Sequence, residues 1–94
     1  MAYLAHGVAT LPRAIAIEVL LKTDLRTARE QLFSAIGVFE PVDGGVRLTS
    51  QADDLLWYAR ELARLPFAFE IRQPTELRDA LATCARQLLR LARK

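Results

Sequence analysis

The spacing of apolar positions divides residues 14–94 into alternating short elements. In Ala14–Lys22, Ile15, Ile17, Val19 and Leu21 point one way, and Ala16, Glu18 and Leu20 the other. Period two with β-branched residues predicts a strand with one buried face. Thr23 and Asp24 then offer N-cap chemistry, and Leu25, Ala28 and Leu32 follow at helical spacing, so a short helix is expected to run to about Phe33. Val38–Val42 and Val46–Thr49 flank Asp43-Gly44-Gly45, which reads as a hairpin whose Pro41 marks an edge strand. Asp53 and Asp54 can cap a second helix with the stripe Leu55, Ala59 and Leu62, closed by Pro66. Phe67–Arg72 alternates again as a fourth strand, and Pro74-Thr75 opens a last helix that runs nearly to Lys94. Residues 1–13, broken by Gly7 and Pro12, match no regular element and read as a linker or as the tail of something larger.

The order strand, helix, strand, strand, helix, strand, helix predicts an α+β fold. It is the ferredoxin-like βαββαβ sandwich with an additional C-terminal helix. Right-handed crossovers put the two inner helices on one face of the sheet. Phe67, Phe69 and Ile71 then join Ile15, Ile17 and Val19 in the core. The other face carries Glu18, Arg47, Thr49, Gln51, Glu70 and Arg72, with Phe39 its only aromatic ring. A slip of one residue would invert this assignment.

Composition narrows the function. Ninety-four residues make one small domain, marginal on its own, which favours a partner. Thirteen basic against eleven acidic side chains leave only +2, too little for a strong non-specific nucleic-acid binder. One cysteine and one histidine exclude a disulfide framework and a multi-ligand metal cluster, so neither cofactor nor metal is expected. No apolar run approaches a membrane span, and the start lacks the basic and apolar stretches of a secretory signal. The expected compartment is the cytoplasm, with Cys84 reduced.

Three features could carry chemistry. The polar sheet face could bind a phosphate or small anionic effector through Arg13, Arg47 and Arg72, or could be a solvated face of cross-strand ion pairs. Base stacking of the RNA-recognition type is not expected, because the outward positions of the two central strands, Ala16, Glu18, Arg47 and Thr49, hold no ring. On the last helix, Leu77, Leu81, Cys84, Leu88 and Leu91 recur at steps of four, three, four and three, a two-heptad seam. That seam could pack on the domain's own sheet, the commoner outcome for a single amphipathic helix, but with two helices already covering the sheet it is equally a candidate dimer contact. Trp57 lies away from its helix's apolar stripe, either at an interface or against a neighbouring loop. The terminal Arg93-Lys94 pair suits a helix C-terminus and needs no nucleic acid. The sequence contains no phosphate-binding loop, dinucleotide fingerprint or nucleophile elbow, so an enzyme is not expected.

The chain resembles the C-terminal extension, WCX, of bacterial WYL-domain transcriptional regulators. The resemblance runs through Tyr3-Leu4-Ala5 with Gly7-Val8-Ala9, the Val38–Asp43 hairpin, and Val46-Arg47-Leu48. It continues from Leu62-Ala63 to Pro66–Glu70 and ends in Pro74-Thr75-Glu76-Leu77-Arg78, which opens the terminal helix. It spans essentially the whole chain. It implies a ferredoxin-like domain over 14–94, preceded at 1–13 by the end of a missing WYL domain. It also implies that a winged helix-turn-helix elsewhere in the parent protein binds promoter DNA, that the WYL domain senses ligands, and that this module dimerises and relays the response. A single-stranded nucleic acid is a possible effector in such proteins. A stand-alone ligand-binding domain of the ACT type shares the topology and is the third reading.

Overall fold

The computed structural model describes residues 14–94. Its strands are β1 (Ile15–Leu21), β2 (Val38–Val42), β3 (Gly45–Ala52) and β4 (Phe69–Gln73). Its helices are α1 (Leu25–Gln31), α2 (Leu55–Ala63) and α3 (Thr75–Ala92), with a 3-10 turn at Ser34–Ile36. The four strands form one antiparallel sheet in the order β2-β3-β1-β4. This is the expected ferredoxin-like α+β fold with a C-terminal helix.

β1 is central, and its alternation sets the layers. Ile17, Val19 and Leu21 are fully buried and lie opposite Ser50, Leu48 and Val46 of β3. On its other side Val19 faces Ile71 and Leu21 faces Phe69 of β4. Ala28 of α1, Tyr58, Ala59 and Leu62 of α2 and Leu77 of α3 complete the same core. The outward set Glu18, Arg47, Thr49, Gln51, Glu70 and Arg72 falls on the opposite face, as the alternation requires. Leu20 shares that face, yet is buried there among Glu18, Arg47 and Arg72, whose aliphatic stems can cover an apolar neighbour.

Of the candidate caps, Asp24 and Asp54 do the work. Asp24 Oδ1 accepts from the Thr27 N–H at 2.7 Å, and Asp54 Oδ1 from the Trp57 N–H at 3.0 Å. The Thr27 bond holds the Asp24 carboxyl below the ordinary aspartate pKa. The hairpin turns on Asp43-Gly44, with positive φ at Gly44 and Gly45 alone among the described residues. At Gly45 a side chain is also blocked by its surroundings, because a Cβ there would run into the Leu21 carbonyl oxygen.

Several expectations are corrected. Phe39 does not point outward: it lies opposite Leu48 and packs on the core. Its strand therefore turns Val38 and Glu40, opposite Thr49 and Arg47, to the outer face. The first helix ends at Gln31, and the 3-10 turn that follows carries no sequence periodicity to announce it. β3 extends to Ala52, and β4 begins at Phe69, two residues later than expected. At the end of β4, Arg72 and Gln73 span one step of β1, where the register shifts. Tyr58, outside the predicted stripe, is buried, and its hydroxyl has no hydrogen-bond partner of acceptable geometry. Nearby Ser50 spends its own proton on the Ile36 carbonyl.

Burial raises the Tyr58 pKa above the ordinary tyrosine value, with Ser50 opposing. The folded state thus holds the phenol proton more tightly than the unfolded chain. Its contribution to stability is complete below the ordinary value of about 10 and is lost as pH rises through the folded value. Tyr58→Phe is expected to flatten this alkaline loss in pH-dependent urea melts. At neutral pH it is expected to be neutral or stabilising, since it removes a buried, unpartnered hydroxyl. Among the hairpin glycines, Gly44→Ala, with open space around it, should cost about 1–2 kcal/mol for its positive φ. Gly45→Ala should cost more in the same melts, because strain and the blocked Leu21 carbonyl act together.

Candidate functional site

Arg47 and Arg72 are brought together on the outer sheet face, where with Glu18, Leu20, Val42 and Asp43 they line a hollow of about 110 Å³. Arg13 lies outside the described residues. Neither of the other two guanidiniums is free. Arg47 donates through Nε to Glu40 Oε1 at 3.1 Å, and through Nη2 to the same oxygen. That bond, reinforced by the Glu40 charge, raises the Arg47 pKa above its usual value. Arg72 Nε lies 2.9 Å from Glu70 Oε1, and Lys22 shares Glu70 at 3.9 Å. The face therefore carries four carboxylates (Glu18, Glu40, Asp43, Glu70) against three cations, and is close to self-neutralised.

The seam of α3 divides in two. Leu77 and Cys84 are 0% and 1% exposed, and Leu81 packs partly buried on the same core. These three side chains are used inside the subunit. Leu88, Leu89 and Leu91 are 46%, 51% and 63% exposed. The split follows from length. α3 has 18 residues, about 27 Å, whereas its neighbour α2 has nine, about 14 Å. The strand it also touches, β4, has five residues, about 17 Å. Among the described residues, neither α2 nor β4 is long enough to cover the last turns of α3.

Sequence reasoning missed Leu89. Its signal is a second stripe, Ala82, Ala85, Leu89 and Ala92, at steps of three, four and three. All four residues are exposed. Three of them are alanine, which a hydrophobicity reading passes over. Trp57 is 43% exposed and meets Phe33 edge-to-face, with ring centroids 6.1 Å apart. It thus touches the α1–β2 connection and still presents a face to solvent.

Both sheet edges resist strand addition. On β2, Pro41 lacks an N–H to donate. On β4, the Arg78 guanidinium reaches back from α3 and donates to the Ile71 carbonyl, at 3.1 Å through Nε and 2.6 Å through Nη2. An acceptor that an added strand would need is already taken.

Among the described residues no helix is long and apolar enough to cross a membrane, and no group of three or more potential metal ligands converges. No curated protein and no solved structure matches the chain. A family model, the WCX domain, matches residues 13–89. That match takes in all four strands, both capped helices and all but the last turn of α3. The chain therefore belongs to the WCX domain family, the same family whose resemblance implied a regulatory module of WYL-type regulators.

Proposed function

We propose that this chain is a non-catalytic regulatory module of a bacterial WYL-type transcriptional regulator, and that it acts by holding two copies of the parent protein together in the cytoplasm. Promoter binding belongs to a winged helix-turn-helix and effector sensing to a WYL domain, both elsewhere in the parent protein. This module couples the two by fixing the spacing of the pair.

One observation carries the reading: the distal half of α3 leaves the subunit with Leu88, Leu89 and Leu91 exposed. Of these, Leu89 faces the dimer contact, and covering the half of it that is still exposed is worth about 1 kcal/mol, to which close packing of the two helices adds. The stripe Ala82-Ala85-Leu89-Ala92 suits a second copy of the same helix. Alanines let two helix backbones approach closely, and an antiparallel pairing centred between Ala85 and Leu89 is self-complementary, as a two-fold contact must be. It also sets Asp79 of each helix near the partner helix's basic end, where Arg93 lies. The closed sheet edges direct association to this helix.

The alternative, an anionic effector or a single-stranded nucleic acid on the outer sheet face, receives less support. Such a ligand needs unspent cations, and Arg47 and Arg72 are held by Glu40 and Glu70. A binder would first have to displace an internal carboxylate.

Sedimentation equilibrium should show a concentration-dependent dimer. Leu89→Glu should weaken it by at least tenfold, about 1.4 kcal/mol, with an unchanged thermal melt of the subunit. Leu77→Glu, in the fully buried half, should unfold the domain instead. A monomer at millimolar concentration would refute the reading.

A further inference from the structure

Two groups of cations contrast on this protein. Those of the sheet face are matched by carboxylates. Of those along the valley between α2 and the distal half of α3, only Arg64 is. Two open hollows follow one another there: one of about 230 Å³, lined by Arg60, Ala63, Arg64, Cys84 and Leu88, and one of about 410 Å³, lined by Arg60, Gln87, Arg90, Leu91 and Lys94. Arg60 belongs to both. Its Nη2 donates to Gln87 Oε1 at 3.0 Å, an uncharged amide that leaves the guanidinium charge unneutralised. Arg64 is paired with Glu61 at 3.1 Å, whereas Arg90 and Lys94 have no ion-pair partner among the described residues. No aspartate or glutamate lines either hollow.

We propose that this valley is a docking groove for an acidic amphipathic helix of another polypeptide. Its length fits: from Cys84 to Leu91 the groove follows α3 for about 11 Å, two turns of a helix lying alongside, and it runs on to Lys94 just past the helix end. Its chemistry fits both faces of such a segment. Ala63, Leu88 and Leu91 offer apolar contact to residues recurring at three- and four-residue steps, and Arg60, Arg90 and Lys94 meet the glutamates or aspartates beside them. The dipole of α3 accounts for cations near its own C-terminus. The dipole of α2 likewise favours Arg60 in its own last turn, but neither dipole accounts for the two helices bringing their cations to one place.

Other occupants fit less well. A second copy set valley to valley would bring each set of unmatched cations against its twin. A nucleic acid would gain nothing from the leucines, and no aromatic ring lines the valley for a base to stack on. The groove is also distinct from the dimer contact, since Leu89 stands about 200° around the helix from Gln87, the residue that faces Arg60. The two can therefore fail separately.

The test is fluorescence anisotropy with the whole chain. The probe is a labelled peptide of about four helical turns, with leucine at three- and four-residue steps and glutamate on its flanks. Binding should be saturable, weaken with salt, and fall roughly tenfold in the Arg60→Glu/Arg90→Glu variant. Both positions are exposed, so the variant should stay folded, its melting temperature lowered only by the loss of two favourable helix-end charges. Leu91→Asp, which alters the apolar lining and no cation, should weaken binding as well. Leu89→Glu should leave it intact while dissociating the dimer. Equal binding of a lysine-for-glutamate peptide, or full affinity in the double variant, would overturn the proposal. So would oligothymidylate binding, or self-association, that the double variant abolishes, because either would give the valley a different occupant.

Discussion

The packing of one face of a single sheet governs this molecule. β1 lies between β3 and β4; Val19 and Leu21 meet inward-facing partners on both sides, and Ile17 on the β3 side. That register commits all four strands to one inner and one outer face. A slip of one residue would expose these three side chains and bury Glu18. Since the outer face is charged, α1, α2 and the first half of α3 must share the inner one. A sheet of four short strands has no room for more helix than that. The protrusion of α3 is thus a geometric consequence of how little sheet the chain builds.

This division separates two kinds of side chain that sequence periodicity alone treats as one. Leu77, Leu81 and Cys84 hold the subunit together, while Leu88, Leu89 and Leu91 face outward. The same separation holds for charge. On the sheet face Arg47 and Arg72 are matched by Glu40 and Glu70, which makes that surface an internal ion-pair lattice. On the helical side Arg60, Arg90 and Lys94 keep their charge available. The acidic residues of the chain are thus positioned to silence one surface and leave another active.

Most of the fold was legible because its signals are local. Alternation in β1 and β4, the aspartates before α1 and α2, and the Gly-Gly turn each act within a few residues. Apart from strand ends, the failure in the sheet came from β2, where five residues containing a proline give too short an alternation to phase, and Phe39 was placed on the wrong face. Tyr58 was missed for a different reason. Its burial depends on a core that β1, β3 and α3 assemble from distant parts of the chain, with Ile17, Leu48 and Leu77 among its members. The seam of α3 was visible as a period, but where its burial stops is set by the lengths of α2 and β4, which the pattern within α3 does not encode. The valley was not legible at all, because Arg60 and Gln87 are 27 residues apart and meet only through the packing of two helices.

The handover along α3 has an evolutionary corollary. Leu77, Leu81 and Cys84 are bound by the requirement to fold, so a substitution at any of them costs the subunit its packing whatever the protein is doing. Beyond that point the helix is free of this duty, and its surface can drift or be selected for new companions while the domain beneath stays intact. Paralogous regulators sharing one cell could diverge in this stretch alone and so avoid forming mixed pairs.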